Sequence, residues 1–163
     1  MLLIILVAVN SCYKTKEDPD YLRNEYLTAA DFQYYYNNDY SFEDSVYAKV
    51  KGYVDKESFS DFLYALDTLK NDTNNPVKRI EFKIVDYTSG FDVNICINTS
   101  RQHLPLSDLY YFFESHKNDN YLYAKGILET FPMCCNLFPN AYPTYLGKAV
   151  NIIDTTDLRF ESK

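Results

Sequence analysis

The sequence predicts a mainly β fold with short helices: a small five-stranded barrel with a helix between strands 3 and 4. Three observations carry that reading. Short stretches of period-2 apolar alternation recur along the chain, bounded by turn residues. Two stretches with helical apolar spacing interrupt them. The 163 residues include 17 Tyr and 11 Phe but no Trp, and such rings suit a pleated, half-buried surface. At 47% hydrophobic residues the chain can fill a core of this size.

Residues 21–45 read in two ways. Thr28 can cap a short helix over "AADFQYYYNND", with Ala29, Phe32 and Tyr36 near one face. The same segment can lie extended over the domain. The first strand signal lies in "SVYAKVKGYVDKESF", where Val46, Ala48 and Val50 alternate with Tyr47, Lys49 and Lys51. Gly52 within it marks a bulge or bend. "SDFLYALDTLKND" follows as a helix capped by Ser60, with Phe62, Leu63, Leu66 and Leu69 as its stripe, and "NDTNNP" ends it. A hairpin comes next, turning at Thr88-Ser89-Gly90. Ile80, Phe82 and Ile84 share a face on one arm, and Phe91, Val93, Ile95 and Ile97 on the other. After Pro105 a short helix starts at Ser107 as N-cap and turns Leu109, Phe112 and Phe113 inward. "NYLYAKGILETF" returns to strand with Leu122, Ala124 and Leu128 on one face and Gly126 between them. A loop with three prolines, "PMCCNLFPNAYPTYLG", leads to "KAVNIIDTTDLRFES", one bent strand or two short ones.

This element order, with its two strand glycines, resembles the OB-fold barrel over residues 46–161. The domain is set at 46–163. Another small α+β fold would use similar elements; an immunoglobulin-like sandwich would need roughly seven strands without helices between them. The resemblance implies a ligand lying across strands 2 and 3, where Tyr87, Asp92, Asn94 and Asn98 point outward. Tyr142 and Tyr145 of the long loop would stand at the rim. Amides, carboxylates and phenols of this kind suit a neutral polar ligand, a glycan or a peptide.

The first nine residues pose a separate problem. Leu2 to Val9 is a run of eight aliphatics, too short for a membrane span of roughly 20 residues but suited to a signal-peptide core. No Lys or Arg precedes it. Val9-Asn10-Ser11-Cys12 resembles a bacterial lipobox, and Lys16-Glu17-Asp18 resembles the Lys-acidic-acidic export signal of Bacteroidota surface lipoproteins. That resemblance implies a signal peptide over 1–11, a lipidated Cys12 on a tether over 12–20, and display at the outer membrane surface. Several acyl chains on one cysteine anchor stably without a membrane helix.

A net charge of -7 argues against nucleic acid as partner, because phosphate binding rests on a Lys/Arg surplus. The two histidines, His103 and His116, lack paired metal spacing, and neither a phosphate loop nor a nucleophile elbow is present. Glu17-Asp18 and Glu43-Asp44 read as solvated charge. The sequence therefore predicts no catalytic residue, metal or cofactor. Beyond Cys12 there remain Cys96, Cys134 and Cys135. Cys96 falls on the face opposite the core, where it fills a half-buried gap or bridges to Cys134 or Cys135. Two roles follow: a surface-tethered binding module for a glycan or peptide, or a structural lipoprotein docking on an outer-membrane protein.

Overall fold

The hairpin forms as its alternation predicts, and the rest of the sheet assembles around it. The structure, a computed structural model, describes residues 25–38, 47–71, 79–99, 102–132 and 146–163. In chain order these form helix α1 (Ala29–Asn38), strand β1 (Tyr47–Val54), helix α2 (Lys56–Asn71), strands β2 (Arg79–Asp86) and β3 (Phe91–Asn98), helix α3 (Leu106–Ser115), strands β4 (Tyr121–Pro132) and β5 (Leu146–Ile152), a 3-10 turn (Thr155–Asp157) and strand β6 (Leu158–Glu161). Residues 1–24, with Cys12 and Lys16-Glu17-Asp18, lie outside the described residues, as do Glu43-Asp44 and Val46. Among the described residues no helix is long and apolar enough to cross a membrane.

The sheet is mixed and has six strands, not five, in the order β1-β2-β3-β5-β4-β6. The closing stretch resolves into two strands because Asp154 starts a 3-10 turn, its carboxylate accepting the Thr156 N–H at 2.8 Å. β4 also pairs antiparallel with β1, from Tyr47↔Ile127 to Tyr53↔Tyr121. β3 and β5 run parallel; the other pairs are antiparallel.

In the hairpin, Ile80, Phe82 and Ile84 oppose Ile97, Ile95 and Val93, and all six are buried. Gly90 closes the turn at φ 74°, a conformation glycine adopts without penalty. Phe91, expected inward, is 46% exposed beside that turn. The Asp86 carboxylate accepts the Thr88 N–H and the Ser89 hydroxyl, both at 2.9 Å.

Two helix starts differ from expectation. α2 begins at Lys56, ahead of Ser60, because Asp55 caps it by accepting the Ser58 N–H at 2.9 Å. Ser58 Oγ then accepts the Lys83 N–H at 3.0 Å and ties the helix start to β2. α3 begins after Pro105, which makes no side-chain cap; Ser107 lies inside the helix with its hydroxyl on Asp108. Pro at a helix start costs little, since its missing N–H would be unpaired there anyway.

At α1 the helical reading holds. Thr28 Oγ1 accepts the Asp31 N–H at 3.2 Å while the Asp31 carboxylate accepts the Thr28 N–H at 3.0 Å, a reciprocal cap. Leu27 bonds along β1, its N–H to the Lys49 carbonyl at 2.8 Å and its carbonyl from the Lys51 N–H at 2.9 Å. Leu27, Ala29 and Phe32 are buried with the inward residues of the strands. This stretch belongs to the domain's core rather than lying over it.

The core centres on four phenylalanines. Phe59 and Phe62 of α2, Phe82 of β2 and Phe113 of α3 pack with ring centroids 4.8 to 6.3 Å apart. Each fully buried ring contributes about 1.5–3 kcal/mol. Leu66, Leu69, Leu109, Leu122 and Leu128 complete it, so the helices cover one side of the sheet and leave the outward face of β1 and β4 to solvent-facing side chains.

Candidate functional site

The residues expected to form a ligand face on β2 and β3 have diverse surroundings. Asp92 is paired with Lys83 at 2.8 Å. Asn94 is half-buried, and among the described residues its Oδ1 has no hydrogen-bond donor. Asn98 pairs with Arg79 at the far end of the hairpin. Tyr87 is 70% exposed at the hairpin turn. Tyr142 and Tyr145 lie outside the described residues, as do Cys134 and Cys135.

Cys96 does point away from the core cluster, but it is fully buried rather than half-buried. Its register neighbours are Glu81 and Asn151. Asn151 is also buried, donating from Nδ2 to the Glu129 carboxylate at 2.8 Å. Burial pushes the Cys96 thiol up to about 12, with nearby Glu81 and Glu129 adding to the rise. Alternation along one strand reports which face a residue takes, not what packs on that face.

The structure assembles its aromatic surface elsewhere, on β1 and β4. Where these strands pair, the outward positions are Tyr47, Lys49, Lys51 and Tyr53 opposite Ile127, Lys125, Tyr123 and Tyr121. Period-2 geometry sends all eight to one side, because the alternate residues Ala48, Val50, Leu122 and Ala124 are in the core. The rings touch in sequence. Tyr26 meets Tyr123 at 5.1 Å and 87°; Tyr123 meets Tyr121 at 5.3 Å; Tyr121 meets Tyr53 at 5.0 Å and 90°. Tyr53 then meets Tyr87 at 5.3 Å, which carries the row to the hairpin turn. Edge-to-face pairs of this kind contribute about 0.5–1.5 kcal/mol each beyond burial.

Cations cover the row at Tyr121 and Tyr123. Lys163 Nζ lies 3.4 Å from the Tyr121 ring centroid and donates to the Tyr123 hydroxyl at 3.1 Å. The hydrogen bond to Tyr123 raises the Lys163 pKa, while burial raises that of Tyr121. Arg159 covers Tyr123 at 4.0 Å. Tyr121 and Tyr123 therefore spend a face on a cation. Tyr53, 37% exposed, Tyr47 and Tyr87 keep open surface for a ligand.

A cleft of about 500 Å³ opens between the start of α2 and the end of α3, floored by Val54, Phe59 and Leu63. Much of its polar rim is already paired: Lys117 with Glu114, and Asp119 with both Ser162 at 2.6 Å and His116 at 2.8 Å. His116 Nδ1 bonds that carboxylate and not a helix carbonyl, and its ring stacks on Phe160 at 4.6 Å and 11°. Ser162 donates to Asp119 rather than to the imidazole, so the trio clips the β6 end to the turn after α3 and does not align a nucleophile with a base. Among the described residues no group of three or more His, Cys, Asp or Glu could hold a metal ion.

Comparison with known protein families, with characterised proteins and with solved structures gives no match.

The tyrosine row was readable in part. The alternation that places Ala48 and Val50 inward sends Tyr47, Lys49, Lys51 and Tyr53 outward, and the same holds for Tyr121, Tyr123 and Lys125. What the sequence withholds is that β1 and β4 are neighbours, which makes two short aromatic lists into one surface.

Proposed function

We propose that the chain is a non-catalytic binding module, carried outside the cell on a lipidated Cys12, that takes a glycan or peptide on its tyrosine row. One observation carries the reading: five tyrosines from four segments of the chain touch in an unbroken line on the outward side of β1 and β4. Phenolic rings offer a flat apolar face and a hydroxyl at one place, the pairing that saccharides and peptide side chains use. The scaffold is proposed to be an OB-like barrel. In support, the pairings run from β1 through β2, β3, β5 and β4 and back to β1, and α3 stands between β3 and β4. The site differs from the usual OB face on strands 2 and 3. The lipobox-like Cys12 and the Lys16-Glu17-Asp18 signal support display at the outer membrane surface.

A glycan and peptide array probed with the full chain, with Tyr53→Ala and with Tyr87→Ala tests the reading. Binding to a defined set, weakened about tenfold or more by either substitution, is expected. A single aromatic anchor is typically worth about 1–3 kcal/mol in binding. Binding indifferent to both changes, or none, would favour the docking role on an outer-membrane protein instead.

A further inference from the structure

The outward face of β1 and β4 carries a charge opposite to that of the chain. Its eight positions hold four Tyr, three Lys and one Ile, with no carboxylate among them, on a protein whose net charge is -7. Lys49 stands directly across from Lys125, and Lys51 follows Lys49 on the same face. Like charges directly opposed on a sheet are destabilising. Among the described residues only Lys125 has relief from a carboxylate, Asp157 at 3.5 Å. Lys49 has the Tyr26 ring at 6.0 Å, a weak contact, and among the described residues no carboxylate lies within ion-pair distance of Lys49 or Lys51. The fold thus spends stability to gather three ammonium groups between tyrosines.

We infer that this face binds an acidic saccharide, with sugar rings on Tyr47 and Tyr53 and carboxylates on Lys49, Lys51 and Lys125. The inference rests on the binding-module reading and names its ligand class. Each alternative meets a specific obstacle. A peptide adding as a strand needs an unpaired sheet edge. β1 instead is taken on one edge by β4 and on the other by Leu27 and β2. β4 is taken by β1 on one edge and by β5 and β6 on the other. Where β1 and β4 pair, recognition falls to side chains. A nucleic-acid strand, with a phosphate on every nucleotide, would offer far more charge than three lysines can match on a chain of net charge -7. The stretch from Tyr47 to Tyr53 is about 20 Å long at the usual strand rise, room for a few sugar rings. The overall charge then favours a ligand of sparse charge over a dense polyanion.

The test is affinity electrophoresis or calorimetry of the full chain against polygalacturonate, alginate and hyaluronate, each beside its methyl-esterified, uncharged form, with single-stranded oligothymidylate as a further probe. At least one acid form is expected to bind about tenfold or more tighter than its ester, with affinity falling as salt rises. A Lys49→Gln/Lys51→Gln double variant should lose that preference while unfolding at the same or a higher denaturant midpoint, since a repulsion is removed. Equal binding of acid and ester, untouched by the double variant, would overturn the inference and leave the binding module standing. Binding to none of the saccharides would overturn the inference, and an empty glycan and peptide array besides would overturn the binding module. Tighter binding of oligothymidylate than of any saccharide would replace the acidic saccharide with nucleic acid.

Discussion

A Cβ placed on Gly126 would stand 2.3 Å from the carbonyl oxygen of Asn151. β4 changes partners at this point, from β6 at Ala124↔Leu158 to β5 at Ile127↔Asn151, while β1 stays on its other edge. The glycine lets β5 come in under the strand. Gly52 serves a milder version, with Val85 O at 3.1 Å and Ile84 Cβ at 3.3 Å from its would-be Cβ, where the edge of β1 away from β4 passes from Leu27 to β2.

Gly126→Ala is therefore expected to cost about 1–3 kcal/mol or more, as overpacking against backbone that cannot move aside. Gly52→Ala should cost less. Urea unfolding of the two variants beside wild type measures the order; a Gly126→Ala protein as stable as wild type would show that β4 and β5 are not packed this closely.

Asp55 gives a stability effect with a defined pH course. The Ser58 N–H, then the Ser58 hydroxyl, hold its carboxyl below the ordinary 3.8. A lowered folded value means that the cap is at full strength above the unfolded value and is lost as pH falls through the lower folded one. Asp55→Ala should cost about 1 kcal/mol at neutral pH, with the gap to wild type closing below about pH 4. A gap that stayed constant down to acid unfolding would mean that the carboxylate does not cap α2.

Cys96 should be chemically silent in the folded, reduced protein. With its thiol at about 12 and its side chain buried, the thiolate fraction at pH 8 is negligible. Iodoacetamide is expected to label it only in denaturant. Mass mapping that found Cys96 alkylated under native conditions would show that the second face of β3 opens.

Much of this architecture was legible because one face of each strand is buried, and burial writes a period of two into the sequence. Ile80-Phe82-Ile84 and Val93-Ile95-Ile97 are the clearest case. The start of α2 was misplaced at Ser60 because Asp55 and Ser58 sit in a stretch whose alternation still reads as strand. β6 was merged with β5 as one alternative because only the Asp154 turn separates them. The tyrosine row was not assembled from the sequence because strand adjacency is a tertiary fact. Nothing local to Tyr53 says that Tyr121 and Tyr87 will lie within 5.3 Å of its ring.

The anchor makes its own prediction. Cys12→Ser should move the protein from the membrane fraction to the soluble fraction, since acyl chains on that cysteine supply the attachment in this account. Lys16-Glu17-Asp18→Ala should keep membrane attachment while abolishing access to external protease. A Cys12→Ser protein that still sediments with membranes would end the lipoprotein reading without touching the tyrosine row.

The central claim is that ligand lies on the outward face of β1 and β4, and tyrosine-selective ring labelling followed by NMR tests it most directly. Polygalacturonate, alginate or hyaluronate, whichever binds, would be titrated into the full chain. The account predicts that the ring signals of Tyr47, Tyr53 and Tyr87 shift with saturating ligand while those of Tyr64 and Tyr111, exposed on α2 and α3, stay in place. Shifts confined to Tyr64 and Tyr111, or no shift in any ring at saturation, would contradict it.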